Sequence, residues 1–132
     1  MSQYMNLIGQ NAKKAAFEKI KTKVKNKILT RYASLLDKER NSIIGENTKD
    51  IKFALKKGLK NNLIDRLTIN HKKLDNIKDS INKITKLKDP IDNTLEKWSR
   101  PNGLKIKRVS IPIGVIGVIY ESRPNVTSDV AS

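Results

Sequence analysis

An unbroken run of apolar and glycine residues, Ile113-Gly114-Val115-Ile116-Gly117-Val118-Ile119-Tyr120, constrains the fold of this chain more than any other feature. It is rich in β-branched side chains and has no polar face. A strand of that kind is covered on both sides, as in a parallel α/β sheet. The polar stretch Glu121-Ser122-Arg123-Pro124 ends the run. Pro124 disfavours helical backbone at Arg123, so the chain turns there. Asn125 is a candidate cap for a helix starting at Val126, with Asp129 favourable in its first turn. Strand, polar loop and helix start form the opening half of a βαβ unit. A parallel sheet also needs a crossover and a second strand. The expectation is therefore that the chain is part of a longer one, or that its strand completes a sheet in another chain.

Upstream of Lys88-Asp89-Pro90 the apolar spacing is helical instead. A first helix is expected over 2–20, with Ile8, Ala12, Ala15, Ala16 and Ile20 on one face. A second starts near Thr22 and carries Val24, Ile28, Tyr32, Leu35 and Leu36. A short turn of helix around Ser42-Ile43-Ile44 follows. Asn47 or Thr48 then caps a helix containing Ile51, Ala54 and Leu55, which Gly58 stops. Another short helix spans 61–67. A last one over 70–87 aligns Leu74, Ile77, Ile81 and Ile84, and Pro90 ends it. Next, 94–100 reads as an edge strand, Pro101-Asn102-Gly103 as a turn, and 104–109 as a half-exposed strand. Three parts are expected: helices over 1–89, an antiparallel β segment over 90–112, and the start of an α/β domain over 113–132.

Lys+Arg number 28 against Asp+Glu 13, a net charge of +15. Read alone, that excess suits a phosphate-bearing partner such as nucleic acid or an anionic membrane. Aromatic residues make up only 5%, which leaves few platforms for stacking bases. Lysine, isoleucine and asparagine are all abundant, and all have AT-rich codons, so a low-GC genome accounts for the excess without selection for binding. A basic helical nucleic-acid-binding module stays as the alternative reading. A third is a small interaction protein whose β segment adds to a partner's sheet. The count of Cys 0 excludes disulfides, zinc-thiolate sites and thiol nucleophiles within these residues. The single histidine, His71, offers no histidine metal cluster and is expected to be exposed. No apolar run reaches the ~18 residues of a membrane span. No secretory signal is evident, so a cytoplasmic location is expected.

In open α/β sheets, ligands bind beyond the carboxyl ends of the strands. Glu121, Ser122, Arg123, Pro124 and Asn125 are the candidates. Each has a plainer reading: Asn125 as a helix cap, which the pattern alone favours, Arg123 as a surface charge or a partner of Glu121, and Ser122 as a loop hydroxyl. Gly114 and Gly117 are spaced GxxG, not GxGxxG, and suit close packing against the strand rather than a dinucleotide fingerprint.

The string from Ile111-Pro112-Ile113 through Tyr120-Glu121-Ser122-Arg123-Pro124-Asn125-Val126-Thr127, with Arg100-Pro101-Asn102-Gly103-Leu104 before it, closely resembles the gamma-glutamyl phosphate reductases. Asn47-Thr48-Lys49-Asp50, Gly58-Leu59 and Leu63-Ile64-Asp65-Arg66-Leu67 look like that family's earlier segments in the same order. The resemblance implies an α/β, aldehyde dehydrogenase-like fold. Only its N-terminal helices, a β-hairpin segment and the first strand of the cofactor-binding parallel sheet are expected here, so 113–132 would open the NADP-binding domain. It implies reduction of L-glutamate 5-phosphate to L-glutamate 5-semialdehyde with NADPH, in proline synthesis, through a cysteine thiolate. That cysteine and the segment for the NADP phosphates are expected after Ser132, so this chain alone is expected to be inactive. By position, Asn125 would be the catalytic amide donor to the oxyanion. Ser122, Arg123 and Pro124 would be cofactor-binding residues on the nicotinamide side. No metal site is implied. The partners implied are a small-molecule substrate, a homo-oligomer formed through the β segment, and the glutamate kinase that acts upstream, with neither nucleic acid nor membrane.

Overall fold

Leu74 and Ile81 lie two turns apart on one helix and are 2% and 1% exposed. That spacing puts both on one face. The helix is one of six in a computed structural model that describes residues 3–121 and 123–132. In chain order the helices are α1 (Gln3–Ala16), α2 (Thr22–Lys38), α3 (Arg40–Lys56), α4 (Asn61–Leu67), α5 (His71–Ile84) and α6 (Pro124–Ala131). Strands β1 (Thr94–Ser99) and β2 (Lys105–Val109) lie between α5 and α6. The chain divides into two compact units. One comprises Met1–Ile20 with Lys88–Gly117, the other Lys21–Leu87 with Val118–Ser132.

The larger unit is helical and is organised on α5, which packs against α2, α3 and α6. Asn70 caps α5 by accepting the Lys73 amide at 2.9 Å, as its place before the apolar stripe predicts. Leu74 and Ile81 bury deepest, and Ile77 and Ile84 are half-buried beside them. On α2 the buried face is only partly the expected one. Tyr32 and Leu36 are half-buried as expected, Val24, Ile28 and Leu35 are exposed, and Ala33 (buried) with Asn26 and Leu29 (half-buried) lie off the expected stripe. A small side chain at Ala33 suits close helix approach. Asn26 also fixes the rotation of α2 by donating Nδ2 to the Thr85 carbonyl at 3.0 Å.

The helix expected to start at Asn47 or Thr48 does not start there. α3 runs through from Arg40, and Gly45 lies inside it. Asn47 is buried in mid-helix, where it serves tertiary structure. Its Nδ2 donates to the Leu67 carbonyl at 3.0 Å, and its Oδ1 accepts the Ile69 amide at 2.6 Å. One backbone group ends α4 and the other lies in the connection to α5, so a single side chain pins that corner to α3. Thr48 bonds back to the Ile44 carbonyl at 2.9 Å instead of capping.

Four charges cross from α2 and α3 to α5. Asp37 accepts Arg40 at 2.6 Å and Lys78 at 2.8 Å, and Arg40 also reaches Asp75 at 2.5 Å. Lys78 and Arg40 together hold the Asp37 carboxyl below its usual range, and Arg40 does the same for Asp75. Pairing with Asp37 raises Lys78 in turn.

In the smaller unit β1 and β2 form the expected antiparallel pair, with Trp98 opposite Ile106 and a bulge between Thr94 and Glu96. Gly103 adopts φ +85 in the connecting turn, which a side chain disfavours. α1 stops at Ala16, short of the expected Ile20, and none of its residues is buried. Of the expected apolar stripe only Ala12 is half-buried, and Ile8, Ala15, Ala16 and Ile20 are exposed.

The largest departure is residues 113–120, expected as a buried strand. They form neither strand nor helix, and Ile113 and Ile119 are 90% and 103% exposed. Among the described residues the sheet has two strands, β1 and β2. A strand exists only through its ladder. Gly114, at φ +104, also turns the backbone out of the β region.

Replacing Asn47 by alanine should lower stability by about 2–3 kcal/mol, since it orphans a carbonyl at the end of α4 and an amide in the connection to α5. Urea unfolding followed by circular dichroism measures this. An unchanged midpoint would show that the two bonds carry no weight. The ion network predicts a pH dependence. A carboxylate whose folded pKa is depressed contributes stability above its unfolded pKa and loses it as pH falls through the folded one. Asp37→Asn should therefore lower the urea midpoint at pH 7. The gap between variant and parent should narrow below the ordinary aspartate range and in high salt. A gap constant from pH 7 to pH 3 would contradict the network's role.

Candidate functional site

α6 begins shortly after the apolar run, and side-chain bonds tie it to α2 and to the end of that run. Ser128, 4% exposed, shares a hydrogen bond with the Tyr32 hydroxyl on α2 at 2.7 Å. Tyr120, just before α6, bonds Thr127 between hydroxyls at 3.1 Å. Helix formation begins at Pro124, not Val126. Proline suits the first helical position because its missing N–H would be unpaired there anyway. The residue flanking the helix is then Arg123, and it makes no side-chain cap bond. Asn125 lies inside the first turn, so the reading of Asn125 as a cap does not hold.

Freed from capping, Asn125 donates Nδ2 to Asp129 Oδ2 at 3.0 Å, one turn along the same helix. Both residues line an open cleft of about 600 Å³ in the larger unit. α4 supplies Asp65 and Arg66 to it, α5 supplies Lys73, and Arg123 and Pro124 complete the α6 side. Lys73 Nζ is anchored on the Asp65 carbonyl at 2.6 Å. The cleft thus holds three cations, two carboxylates and two primary amides, those of Asn76 and Asn125. Such a lining suits a small molecule with charges of both signs and a carbonyl or other oxygen to be received by a donor.

Three of the residues expected at the site, Arg123, Pro124 and Asn125, meet at this cleft, and Ser122 lies outside the described residues. Glu121 is exposed. The reading by sequence did not assign Asp65, Arg66 or Lys73 to the site, although Leu63-Ile64-Asp65-Arg66-Leu67 stood out as a family-like segment. Asp129 was read only as a charge favourable to the helix start. His71 is exposed, as expected, and its carbonyl accepts Arg40 at 3.2 Å. Gly114 and Gly117 face open space, where a Cβ on either would meet nothing within 4 Å. No helix among the described residues is long and apolar enough to cross a membrane.

Comparison with known proteins agrees with this architecture. The fold is similar to the N-terminal part of an aldehyde dehydrogenase-like enzyme. A crystal structure from Thermotoga maritima superposes on 92% of the chain with a TM-score of 0.83 and 39% identity, and the match covers 29% of that chain. That structure is a gamma-glutamyl phosphate reductase. Curated proteins of the same name match in sequence. The one from Nautilia profundicola is 48% identical over 108 residues, covering 82% of this chain and 26% of its own length. The one from Geobacillus sp. (strain WCH70) is 44% identical over 113 residues, covering 86% and 27%. In sequence and fold alike, then, this chain is similar to the gamma-glutamyl phosphate reductases, and it spans about a quarter of the length of the curated relatives it matches. No family model matches. The alternative of a nucleic-acid-binding module finds no support among these relatives.

Tyr32→Phe should loosen α6 by leaving the buried Ser128 hydroxyl without its partner. The expected loss is about 1 kcal/mol in urea unfolding. Faster amide hydrogen exchange at 124–131 than at α5 should accompany it. Uniform exchange across both helices would argue against Ser128 as the anchor.

Proposed function

We propose that this chain is part of an NADPH-dependent reductase that converts L-glutamate 5-phosphate to L-glutamate 5-semialdehyde and phosphate in proline biosynthesis. The similarity to reductases of that name, 48% identity in one case, carries the reading. In it, residues 1–89 form the N-terminal helical part, 90–112 the antiparallel segment used in oligomerisation, and 113–132 the start of the NADP-binding domain. A cytoplasmic location, a homo-oligomer and contact with the upstream glutamate kinase belong to the same reading.

The chemistry asked of these residues is modest and specific. Attack on an acyl phosphate makes a tetrahedral oxyanion, which a preorganised donor stabilises. We assign that donor to Asn125. Its amide carries two hydrogens, so the bond to Asp129 leaves one for a substrate oxygen. The open amino-terminal end of α6 adds a favourable partial charge at the same place. Ser122, Arg123 and Pro124 are assigned to the nicotinamide side of NADP(H), the group that supplies the hydride. No residue described here is asked to hold its phosphates.

Asn125→Ala in the full-length enzyme should lower kcat about 100-fold or more, with little change in KM for NADPH. Steady-state kinetics with purified enzyme checks both constants. Unchanged turnover would remove Asn125 from the mechanism.

A further inference from the structure

We propose that Asp129 selects a substrate bearing an α-ammonium group, by receiving that ammonium while Asn125 holds the acyl oxygen at the other end of the molecule. The proposal rests on the reductase reading and extends it to substrate specificity.

Geometry comes first. Asn125 and Asp129 are four residues apart on α6 and their side chains meet at 3.0 Å, so a hydrogen bond of about 2.9 Å outward from each puts the two atoms they receive roughly 5–8 Å apart. In L-glutamate 5-phosphate four bonds separate the acyl carbon from the ammonium nitrogen. At about 1.2 Å of extension per bond they span roughly 5 Å. A substrate lying along α6 can therefore meet both side chains at once. Chemistry comes second. The Asp129 carboxylate spends Oδ2 on Asn125, and its other oxygen keeps its acceptor sites. That hydrogen bond comes from a neutral amide, which leaves the carboxylate charge for a cation. The α-carboxylate of the same substrate then has Arg66 and Arg123 in the cleft, and guanidinium suits it as a bidentate partner. Lys73 is the less suitable partner, being tied to the Asp65 carbonyl.

A chain lacking the amino group would leave the Asp129 charge facing the cleft unpaired. Sites built around such a bond reject the analogue that lacks it far more strongly than apolar pockets reject a missing methylene.

Asp129→Asn tests this because an asparagine there can still accept the Asn125 amide while losing the negative charge. The assay runs the full-length enzyme in the oxidative direction, with NADP+ and inorganic phosphate. It compares L-glutamate 5-semialdehyde with 5-oxopentanoate, the same aldehyde without the amino group. The parent enzyme should prefer the amino aldehyde in kcat/KM. In Asp129→Asn that preference should fall about 10- to 100-fold, mostly through KM for the amino aldehyde. A preference unchanged within twofold would overturn the proposal. So would an equal loss on both aldehydes through kcat, which would make Asp129 a positioning residue for Asn125. A parent enzyme inactive on both aldehydes would instead remove the reductase reading beneath it.

Discussion

The larger unit depends on one helix face. Leu74 and Ile81 are its largest fully buried side chains, and α5 presents them while packing against α2, α3 and α6. Burying such side chains is worth about 1.5–3 kcal/mol each. That modest sum explains why polar ties do so much of the orienting. Asn26, Asn47 and Tyr32 each replace a missing stretch of apolar contact with a directed hydrogen bond. The face of α5 carrying Lys73 and Ser80 then lines the cleft. A change at Leu74 or Ile81 would disturb the wall of the cleft as well as the core.

The apolar run at 113–120 shows what a local pattern does and does not determine. Its composition suits cover on both faces, yet Ile113 and Ile119 are 90% and 103% exposed. Strand geometry is another matter, because each backbone N–H and C=O needs a partner across a ladder. β1 and β2 pair with each other, and the residues of the run are exposed. The chain is similar to about a quarter of the reductases' length, and the run's β-branched, two-faced pattern fits a sheet that those longer proteins have the length to build. The hairpin was legible for the opposite reason. β1, the turn at Gly103 and β2 are contiguous, so partner and signal lie within the same short stretch.

Legibility at the site divides along the same line. Arg123, Pro124 and Asn125 stand together in sequence, directly after the strongest apolar signal, and they meet at the cleft. Asp65, Arg66 and Lys73 come from two helices far upstream, and no spacing rule links them to Asn125. Asn47 misled for a related reason. An asparagine before an apolar helical stripe reads as a cap, yet nothing at Gly45 or Glu46 ends the preceding turn, so α3 continues and the amide turns to the α4–α5 connection. Such residues are used for contacts that only the folded chain brings within reach.

Charge illustrates how a whole-chain quantity can mislead where a local one informs. The excess of 28 basic over 13 acidic residues invites a polyanionic partner, but much of it is spread along solvated helix faces. Where acids meet bases they mostly brace the fold, as Asp37 and Asp75 do between helices. Asp129 differs in being hydrogen-bonded to an amide at the edge of a cleft that also holds Arg66 and Arg123. A carboxylate whose charge is not met by a basic neighbour still seeks a cation, and a small zwitterion can supply one while presenting its own carboxylate to the guanidinium groups. The arrangement of a few charges around one amide therefore says more about the molecule bound than the net charge of the chain does.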